Sequence, residues 1–375
     1  MLASVDDPAG AGARRAGLDA ARADSDALLG NTLRSLAADG HLGHLLDYQA
    51  HRGQPEHRDT GAAWVARHGL DVSPEQVILT SGGQHAMAVL LGSLAGPGDT
   101  LLCEALTYPS VKALADFFRF DLVGVALDER GMIPEAFDEA CQTYRPKALF
   151  SMPSLHNPTG AHMLEDRRRT AAAIARRHRV RTVEDDIYGF LVEDGHAPLV
   201  SHAPELGFYF LSLSKAMAPG LRVSYVAVPH DQVAAVTAAV HATAYMTAPL
   251  MAEIAMRWIG DGTGARMVES YRREAIARQA LTREALRGFT YTAHPAGFHG
   301  ILTLPEPWTP GTFVAELRQR GVVLSPASAF AADGTAPPFV RLCLSCTRDR
   351  AELARALRIV ADLASEPPQA HLAVV

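Results

Sequence analysis

The stretch Leu211-Ser-Leu-Ser-Lys-Ala-Met-Ala-Pro-Gly-Leu-Arg222 decides the fold, because it joins two apolar segments through one polar turn. Residues 208–213 and 222–229 have the composition of buried strands. The chain contains only three lysines, and Lys215 lies on this turn between a serine and a Pro-Gly pair. Amines form imines, whereas guanidinium groups do not. Lys215 is therefore a candidate for imine chemistry, and an ordinary surface lysine is the alternative.

Short apolar runs alternate with helical patterns on the N-terminal side of this turn. The predicted strands are 77–80, 100–104, 122–126, 148–152 and 181–184, and the predicted helices are 84–94, 110–118, 135–144 and 167–178. Such an alternation indicates a mainly parallel sheet that is covered by helices on both faces. Ligands of these sheets bind beyond the carboxyl ends of the strands. We therefore expect the functional site at that edge.

The pattern predicts three parts of the chain. Residues 1–45 form an N-terminal arm and helix, with a helical spacing of leucines over 25–46, and residues 46–260 form the large domain. Residues 261–375 form a smaller α/β domain. Its predicted strands are 300–304, 322–324 and 339–344, and its predicted helices are 264–286, 312–320 and 350–364.

Composition excludes several classes of protein. The net charge of -6 and the lack of a basic arm argue against nucleic acid as a partner. No apolar run reaches the roughly 18 residues of a membrane span, and the N-terminus lacks a signal-peptide core, so we expect a cytoplasmic protein.

The four cysteines are irregularly spaced, which is typical of reduced thiols. Cys343 and Cys346 form a Cys-x-x-Cys pair of the kind that redox and zinc sites use. Because no second pair accompanies it and it lies in a strand-like run, we interpret the pair as structural.

Two motifs have the composition of a phosphate site. Ser81-Gly-Gly-Gln-His85 follows a strand and opens a helix, where free backbone N–H groups and the helix dipole favour an anion. An ordinary strand-to-helix turn is the alternative. The central turn adds the hydroxyls of Ser212 and Ser214 and the guanidinium group of Arg222. Together with the free N–H groups at 81–85, these groups can bind a phosphate monoester.

Polar residues also follow two other predicted strands. Glu184-Asp-Asp-Ile-Tyr188 places adjacent carboxylates at a strand end, where they need partners. A metal is one candidate partner, but no His or Cys cluster accompanies them, and a protonated ring nitrogen satisfies the charge equally well. Asn157-Pro-Thr-Gly160 is a turn that can hold an amide toward a ligand, and Tyr108-Pro109 offers a ring for core packing or stacking.

Together these motifs resemble those of the fold-type I pyridoxal-phosphate (PLP) enzymes. Within them the chain resembles the class I/II aminotransferases, and most closely the aminotransferase-like domain of MocR-type regulators, over about residues 45–357. The last motif that carries the resemblance is Val-Arg-Leu at 340–342. The resemblance implies an α/β fold of the PLP-transferase type I, in which a large domain has a mainly parallel seven-stranded sheet and a smaller α/β domain follows.

The resemblance also implies roles for individual residues. Lys215 would form the Schiff base with PLP, Asp185 would pair with the pyridine nitrogen, and Tyr188 would bond the ring O3′. Further residues would hold the cofactor: Asn157 at O3′, Tyr108 on the ring, and Gly83, Gln84, Ser212, Ser214 and Arg222 at the phosphate. Tyr48 would reach the phosphate of a neighbouring subunit, which implies a homodimer. Arg341 would bind the α-carboxylate of the substrate, and Asn157 would also contact the substrate.

Three functions follow as hypotheses. The first is an aminotransferase in which Lys215 moves a proton from Cα of an amino acid to the cofactor. The second is a PLP-dependent lyase (C–S or other β-elimination), decarboxylase or oxidative deaminase of specialised metabolism. The departures from the family pattern, at 30–34, 41–44, 54–60 and 326–330, suggest a specialised substrate side. The third is the ligand-sensing module of a MocR-type regulator, although only some forty residues, which are not basic, precede Tyr48.

Overall fold

A computed structural model of the protein describes residues 19–40, 42–193 and 196–366. Helices and strands alternate along most of this length. The helices are α1 Asp19–Ala38, α2 Pro55–Ala66, α3 Gly83–Leu94, α4 Pro109–Phe118, α5 Pro134–Tyr144, α6 Glu165–His178, α7 Leu213–Ala216, α8 Val233–Ala244, α9 Pro249–Gly260, α10 Thr263–Ala285, α11 Pro310–Gln319 and α12 Arg350–Ser365. None of these helices combines the length and apolarity that crossing a membrane requires.

A seven-stranded sheet forms the centre of the described chain. Its strands are β1 Val77–Thr80, β2 Thr100–Glu104, β3 Asp121–Val125, β6 Ala148–Ser151, β7 Arg181–Asp185, β8 Gly207–Ser212 and β9 Ser224–Ala227. Their order is β1-β9-β8-β7-β6-β2-β3, and only β9 runs antiparallel to its neighbours. The expected mainly parallel sheet is confirmed.

Strand β8 shows why the sheet is covered on both faces. Successive side chains of a strand point to opposite faces. Phe208 and Phe210 pack in one apolar cluster, and Tyr209 and Leu211 pack in another on the opposite side. All four side chains are fully buried. A strand of this composition therefore has to lie in the middle of the sheet, and its last residue opens directly onto the site.

A smaller sheet follows in the C-terminal part. Its strands are β10 Tyr291–Thr292, β11 His299–Thr303, β12 Ser325–Pro326 and β13 Phe339–Cys343, all paired antiparallel, in the order β10-β11-β13-β12. Helices α11 and α12 pack on this sheet through an apolar cluster that includes Phe313, Leu342 and Leu353. The strands β4 Leu127–Asp128 and β5 Gly131–Met132 form a separate hairpin. The domain boundary between residues 260 and 261 stays a prediction.

Two predicted elements differ from the structure. The strand predicted at 322–324 is wrong, because these residues are buried but unpaired and the short strand β12 comes immediately after them. Pro326 lacks an N–H, which limits the length of β12. The helix predicted over 25–46 instead ends at Ala38, and a separate 3-10 turn covers Leu42–Leu45. Gly40, with φ 75°, interrupts the helix between them. The arm predicted over residues 1–18 lies outside the described residues.

Candidate active site

A cavity of about 660 Å³ lies at the carboxyl ends of the parallel strands. All but one of the residues predicted for the site line it. They are Gly83, Gln84, Tyr108, Asn157, Asp185, Tyr188, Ser212, Ser214, Lys215, Arg222 and Arg341. Among the described lining residues, four side chains are cationic and one is a carboxyl group. The cavity is therefore suited to ligands that carry several negative charges.

The phosphate end of this cavity is built around the start of α3. The Gly83 N–H donates to Ser212 Oγ at 3.3 Å, and the Ser214 N–H donates to the same oxygen at 3.3 Å. Arg222 donates from Nη1 to Ser214 Oγ at 3.4 Å. The hydroxyls, the guanidinium group and the positive end of a twelve-residue helix thus converge on one point.

Backbone conformation supports this arrangement. Gly82 has φ 84°, and a Cβ atom at this residue would lie 2.6 Å from Arg222 Nη2. Arg222 itself adopts a left-handed conformation with φ 50°. Such a conformation costs about 1 kcal/mol for a residue with a side chain, and strain of this kind is concentrated at functional sites. The glycine and the strained arginine let the guanidinium group approach the start of α3 closely.

Lys215 lies on α7, the single helical turn that follows β8. Ser212 caps this turn, because its hydroxyl accepts the Ser214 N–H. Lys215 is half-buried and lines the cavity. Lys112 is also half-buried but donates to the Ser328 carbonyl oxygen, and the exposed Lys147 lies near Asp99. Within the described part of the chain, Lys215 is therefore the one amine that faces the cavity.

The three consecutive carboxyl groups at the end of β7 point to three different partners. Glu184 lies 3.6 Å from the buried Arg168 and accepts the Val200 N–H at 2.9 Å. Asp186 accepts the Tyr209 hydroxyl at 2.6 Å. Only Asp185 lines the cavity. No cluster of three or more His, Cys, Asp or Glu with a metal-binding arrangement occurs in the described ranges.

The carboxyl group of Asp185 is buried, and no cationic side chain among the described residues donates a hydrogen bond to it. Its Oδ1 accepts the Ile187 N–H at 3.0 Å, and the residue is only 3% exposed. Burial raises the pKa of Asp185 to about 8, and the backbone hydrogen bond offsets only part of this shift. A cation in the cavity would restore the ionised form. The protonated nitrogen of a ring ligand supplies such a charge.

Tyr188 lines the cavity three residues after Asp185, and the ring of His299 packs against it. Burial holds the pKa of the Tyr188 phenol above its ordinary value, so the hydroxyl stays protonated and can donate a hydrogen bond. The rings of Tyr188 and His299 lie 5.2 Å apart, and His299 Nε2 lies 3.0 Å from the carbonyl oxygen of His156. Burial lowers the pKa of His299 to about 3, so this ring is neutral. Sequence reasoning missed His299, because a lone histidine in a strand carries no recognisable motif.

Arg341 forms the opposite wall of the cavity, on β13. Its Nη1 donates to Asn157 Oδ1 at 3.0 Å, and its Nη2 donates to Ser325 Oγ at 3.3 Å. The guanidinium carbon lies 4.9 Å from the centre of the Phe330 ring. These contacts hold a planar donor group in one orientation, which suits a carboxylate. No sequence motif pointed to Ser325, and Phe330 was noted only as part of segment 326–330, which departs from the family pattern.

Tyr48 is the predicted site residue that the structure does not bring into this cavity. Its side chain is 82% exposed, and its ring lies 4.9 Å from the ring of Tyr245. The neighbouring Leu46 is 90% exposed. The role predicted for Tyr48 requires a second subunit and stays a prediction.

Comparison with known proteins identifies the family. The sequence matches the family described as aminotransferase class I and II over residues 24–360. The chain therefore belongs to the class I and II aminotransferase family. This family and the expected fold are confirmed.

Individual relatives are regulators as well as enzymes. An uncharacterized HTH-type transcriptional regulator of Bacillus subtilis (strain 168), YdeF, is 30% identical over 304 residues, which are 81% of this chain and 66% of that protein. Aromatic-amino-acid aminotransferase 1 of Thermococcus litoralis is 26% identical over 305 residues, 77% of this chain and 73% of that protein. The chain thus spans slightly less than two thirds of the length of YdeF.

A solved structure shows the same fold. An archaeal alanine:glyoxylate aminotransferase superposes with a TM-score of 0.83 and 23% identity, over 90% of this chain and 86% of that chain.

The residues of the cavity also fit PLP by their chemistry. They offer an amine, a buried carboxyl group that needs a cation, and a phosphate cradle that a Cβ at Gly82 would obstruct.

Proposed function

We propose that the protein is a PLP-dependent aminotransferase that acts at the α-carbon of an amino acid. The observation that carries the proposal is the shared cavity, which brings Lys215, Asp185, the phosphate cradle and Arg341 together. Bound PLP supplies an aldehyde that condenses with amines and a protonated ring that withdraws electrons from the α-carbon. The side chains of the cavity divide the remaining tasks.

The residues of the large sheet would hold the cofactor. Ser212, Ser214, Arg222, Gln84 and the Gly83 N–H would bind its phosphate. Asp185 would keep the ring nitrogen protonated, because an ionised carboxylate stabilises the positive charge beside it. Tyr188 and Asn157 would donate hydrogen bonds to the ring O3′, and Tyr108 would cover the ring face.

Arg341 and Lys215 would act on the substrate. Arg341 would bind the α-carboxylate through two parallel hydrogen bonds, which fixes the orientation of the α-carbon. Lys215 would then take the proton from the α-carbon and return it to the cofactor side, as a general acid–base catalyst. Transfer of the amino group leaves a keto acid.

A half-reaction tests this proposal. Purified protein, reconstituted with PLP, is mixed with single amino acids, and the cofactor spectrum and the products are followed. Conversion of the cofactor to its pyridoxamine form with release of a keto acid supports transamination. Release of ammonia or carbon dioxide with PLP retained would instead identify the lyase or decarboxylase alternative.

A ligand-sensing function is the second candidate, and the regulators among the relatives favour it. The two functions differ in turnover. A sensing module would bind PLP and form an adduct with an amino acid, but would release no product over many minutes. Multiple turnovers with an amino acid and a keto acid would contradict the sensing function.

We also propose a homodimer in which Tyr48 reaches the phosphate of the neighbouring subunit's cofactor. Support comes from the exposure of Tyr48, Leu46 and Tyr245, three apolar or aromatic side chains in the two segments around the Tyr48–Tyr245 contact. Hybrid dimers of a Lys215→Ala chain and a Tyr48→Phe chain test it. If Tyr48 acts across the interface, the one intact site keeps native PLP affinity. If Tyr48 acts within its own chain, that site is weakened.

We further propose a cytoplasmic location. The four cysteines are free, as expected for a reducing compartment. Fractionation of the native host with a cytoplasmic marker tests this proposal, and recovery with a membrane or secreted fraction would contradict it.

A further inference from the structure

Two thiols meet at the C-terminal end of β13. Cys343 is the last residue of this strand, and Leu344–Cys346 form a single 3-10 turn after it. Side chains three residues apart in such a turn eclipse each other. The thiol of Cys346 accordingly donates a hydrogen bond to Cys343 Sγ at 3.1 Å. The two sulfur atoms need to approach by only about 1 Å to reach the length of a covalent bond.

This thiol pair opens onto the active-site cavity. Cys343 lines the cavity, and both cysteines are half-buried. Arg341 also lines it, because residues two apart on a strand point to the same face. A small reagent that enters the substrate side of the cavity can therefore reach Cys343 beside the guanidinium group.

The electrostatic surroundings of Cys343 favour its thiolate form. The hydrogen bond from Cys346, together with the cationic Arg341 and Lys215, holds the pKa of Cys343 well below its ordinary range. The thiolate is the reactive form of cysteine. Cys103 and Cys141 are less reactive than Cys343, because both are buried. Burial raises the pKa of the Cys141 thiol to about 12. The chain thus contains one reactive pair and two inert thiols.

We propose that Cys343 and Cys346 form a redox-modification site, which hydrogen peroxide converts into an intramolecular disulfide and a dithiol reductant restores. In the first step, the Cys343 thiolate attacks one peroxide oxygen, the O–O bond breaks, and the leaving hydroxide takes a proton to become water. In the second step, the Cys346 sulfur attacks the sulfenic acid of Cys343, the S–O bond breaks, and a second water leaves. Two thiols lose two electrons in total, and the peroxide accepts them.

The disulfide would change the wall of the cavity beside Arg341. Movement of the Cys343 sulfur toward Cys346 withdraws a thiol from the cavity surface two residues from the carboxylate-binding arginine. The modification itself does not depend on the proposed aminotransferase function. Only its effect on substrate binding rests on that function.

Peptide mass spectrometry tests the modification directly. The holoprotein is treated with hydrogen peroxide, free thiols are alkylated, and the protein is digested with trypsin. Trypsin cleaves after Arg341 and after Arg348, so both cysteines are in one peptide, residues 342–348, Leu-Cys-Leu-Ser-Cys-Thr-Arg. We expect the mass of this peptide to fall by two hydrogens, at a rate at least about tenfold higher than the rate at which Cys103 or Cys141 is oxidised. Dithiothreitol should reverse this change in mass. Equal rates, or no loss of two hydrogens, would overturn the proposal.

Two variants sharpen this test. Cys346→Ser is expected to abolish the loss of two hydrogens and to leave Cys343 to add oxygen instead. Cys141→Ser, a matched change at a buried thiol on α5, is expected to leave disulfide formation unchanged. Persistence of the mass loss in Cys346→Ser would show that the disulfide forms elsewhere and would overturn the assignment.

Steady-state kinetics tests the effect on substrate binding. The oxidised holoprotein is expected to have a KM for the amino acid about tenfold higher than the reduced form. A misplacement of about 1 Å can cost up to about 10²-fold, and Cys343 acts on Arg341 only indirectly. Dithiothreitol should restore the original KM. A fully formed disulfide with unchanged KM would contradict the link to Arg341 while leaving the mass-spectrometric result valid.

Discussion

The two ends of the cavity are built in different ways. The cofactor end consists of short segments at the ends of strands of the large sheet. These segments contain Gly83, Asp185 and Lys215. The substrate end combines Ser325 and Phe330 with Arg341 and Cys343, which come from separate parts of the small sheet and its loops. In the proposed function, the ends of the parallel sheet would therefore set the cofactor chemistry. The packing of the small sheet against the large one would set substrate selection.

The two ends also differ in how their charges are satisfied. Asp185, at the cofactor end, is a buried carboxyl group with a raised pKa, and it needs a cationic ligand. Arg341, at the substrate end, already donates to Asn157 and Ser325, and its buried Nε has no hydrogen-bond partner among the described residues. Loss of a cofactor-end residue should therefore affect chemistry, and loss of a substrate-end residue should affect binding.

The largest effect is expected for Lys215→Ala. This change removes the amine that binds the cofactor and moves the proton, so activity should fall by at least about 10⁴-fold. The visible absorbance of bound PLP should also disappear. Steady-state assays and absorbance spectra measure both effects.

The other two lysines provide matched controls for this prediction. Lys112→Ala and Lys147→Ala change amines that do not line the cavity and should leave both absorbance and activity intact. Retention of the PLP absorbance in Lys215→Ala would place the reactive amine elsewhere.

A smaller loss is expected for Asp185→Asn. The amide cannot hold the ring nitrogen in its protonated form, so kcat should fall by about 10²–10³-fold while KM changes little. Asp99→Asn, at a surface ion pair with Lys147, is the matched control. An unchanged kcat in Asp185→Asn would exclude the proposed pairing with the ring.

At the substrate end, Arg341→Lys should act mainly on KM. A lysine cannot reproduce the two parallel hydrogen bonds of the guanidinium group, so the KM for the amino acid should rise by about 10²-fold, with normal PLP absorbance. Arg348→Lys, an exposed change near Glu352, should have no measurable effect. A loss of PLP binding in Arg341→Lys would remove the distinction between the two ends.

A still smaller effect is expected for Tyr48→Phe. Loss of one hydroxyl that binds a phosphate should raise the Kd for PLP by about tenfold, which corresponds to one hydrogen bond to a charged group. Tyr144→Phe, another exposed tyrosine, is the control. Equilibrium titration with PLP measures both values, and an unchanged Kd for Tyr48→Phe would contradict its role at the phosphate.

The smallest effect concerns the stability of the apoprotein. Because the pKa of Asp185 is higher in the folded state than its ordinary value of 3.8, the folded state binds this proton more tightly. Its contribution to stability is complete below pH 3.8 and is lost as the pH rises to about 8. We expect Asp185→Asn to reduce the fall in Tm between about pH 5 and about pH 8 by about 2–4 °C. Thermal melts of both apoproteins measure it, and identical falls would contradict the raised pKa.

The sequence predicted the cofactor end far better than the substrate end, and the reason is physical. Lys215, Asp185 and Gly83 lie within short motifs at strand ends, so local composition identifies them and the parallel sheet brings them together. Ser325 and His299 acquire their positions through tertiary contacts that no local pattern encodes. The strand predicted at 322–324 failed for the same reason, because a buried apolar run does not show whether a neighbouring strand pairs with it.

The individual carboxyl groups at 184–186 illustrate the same limit. Sequence reasoning selected Asp185 from the spacing to Tyr188, as the family resemblance implied. It could not find the partners of Glu184 and Asp186, because Arg168 and Tyr209 are brought close only by the folded sheet.

Reduction of the PLP-bound protein with borohydride, followed by peptide mapping, shows which lysine binds the cofactor. We propose that this amine is Lys215, in the cavity it shares with Asp185. We therefore expect a stable phosphopyridoxyl group on Lys215 and none on Lys112 or Lys147. A label on either of those lysines, or a PLP-bound protein without any labelled lysine, would contradict it.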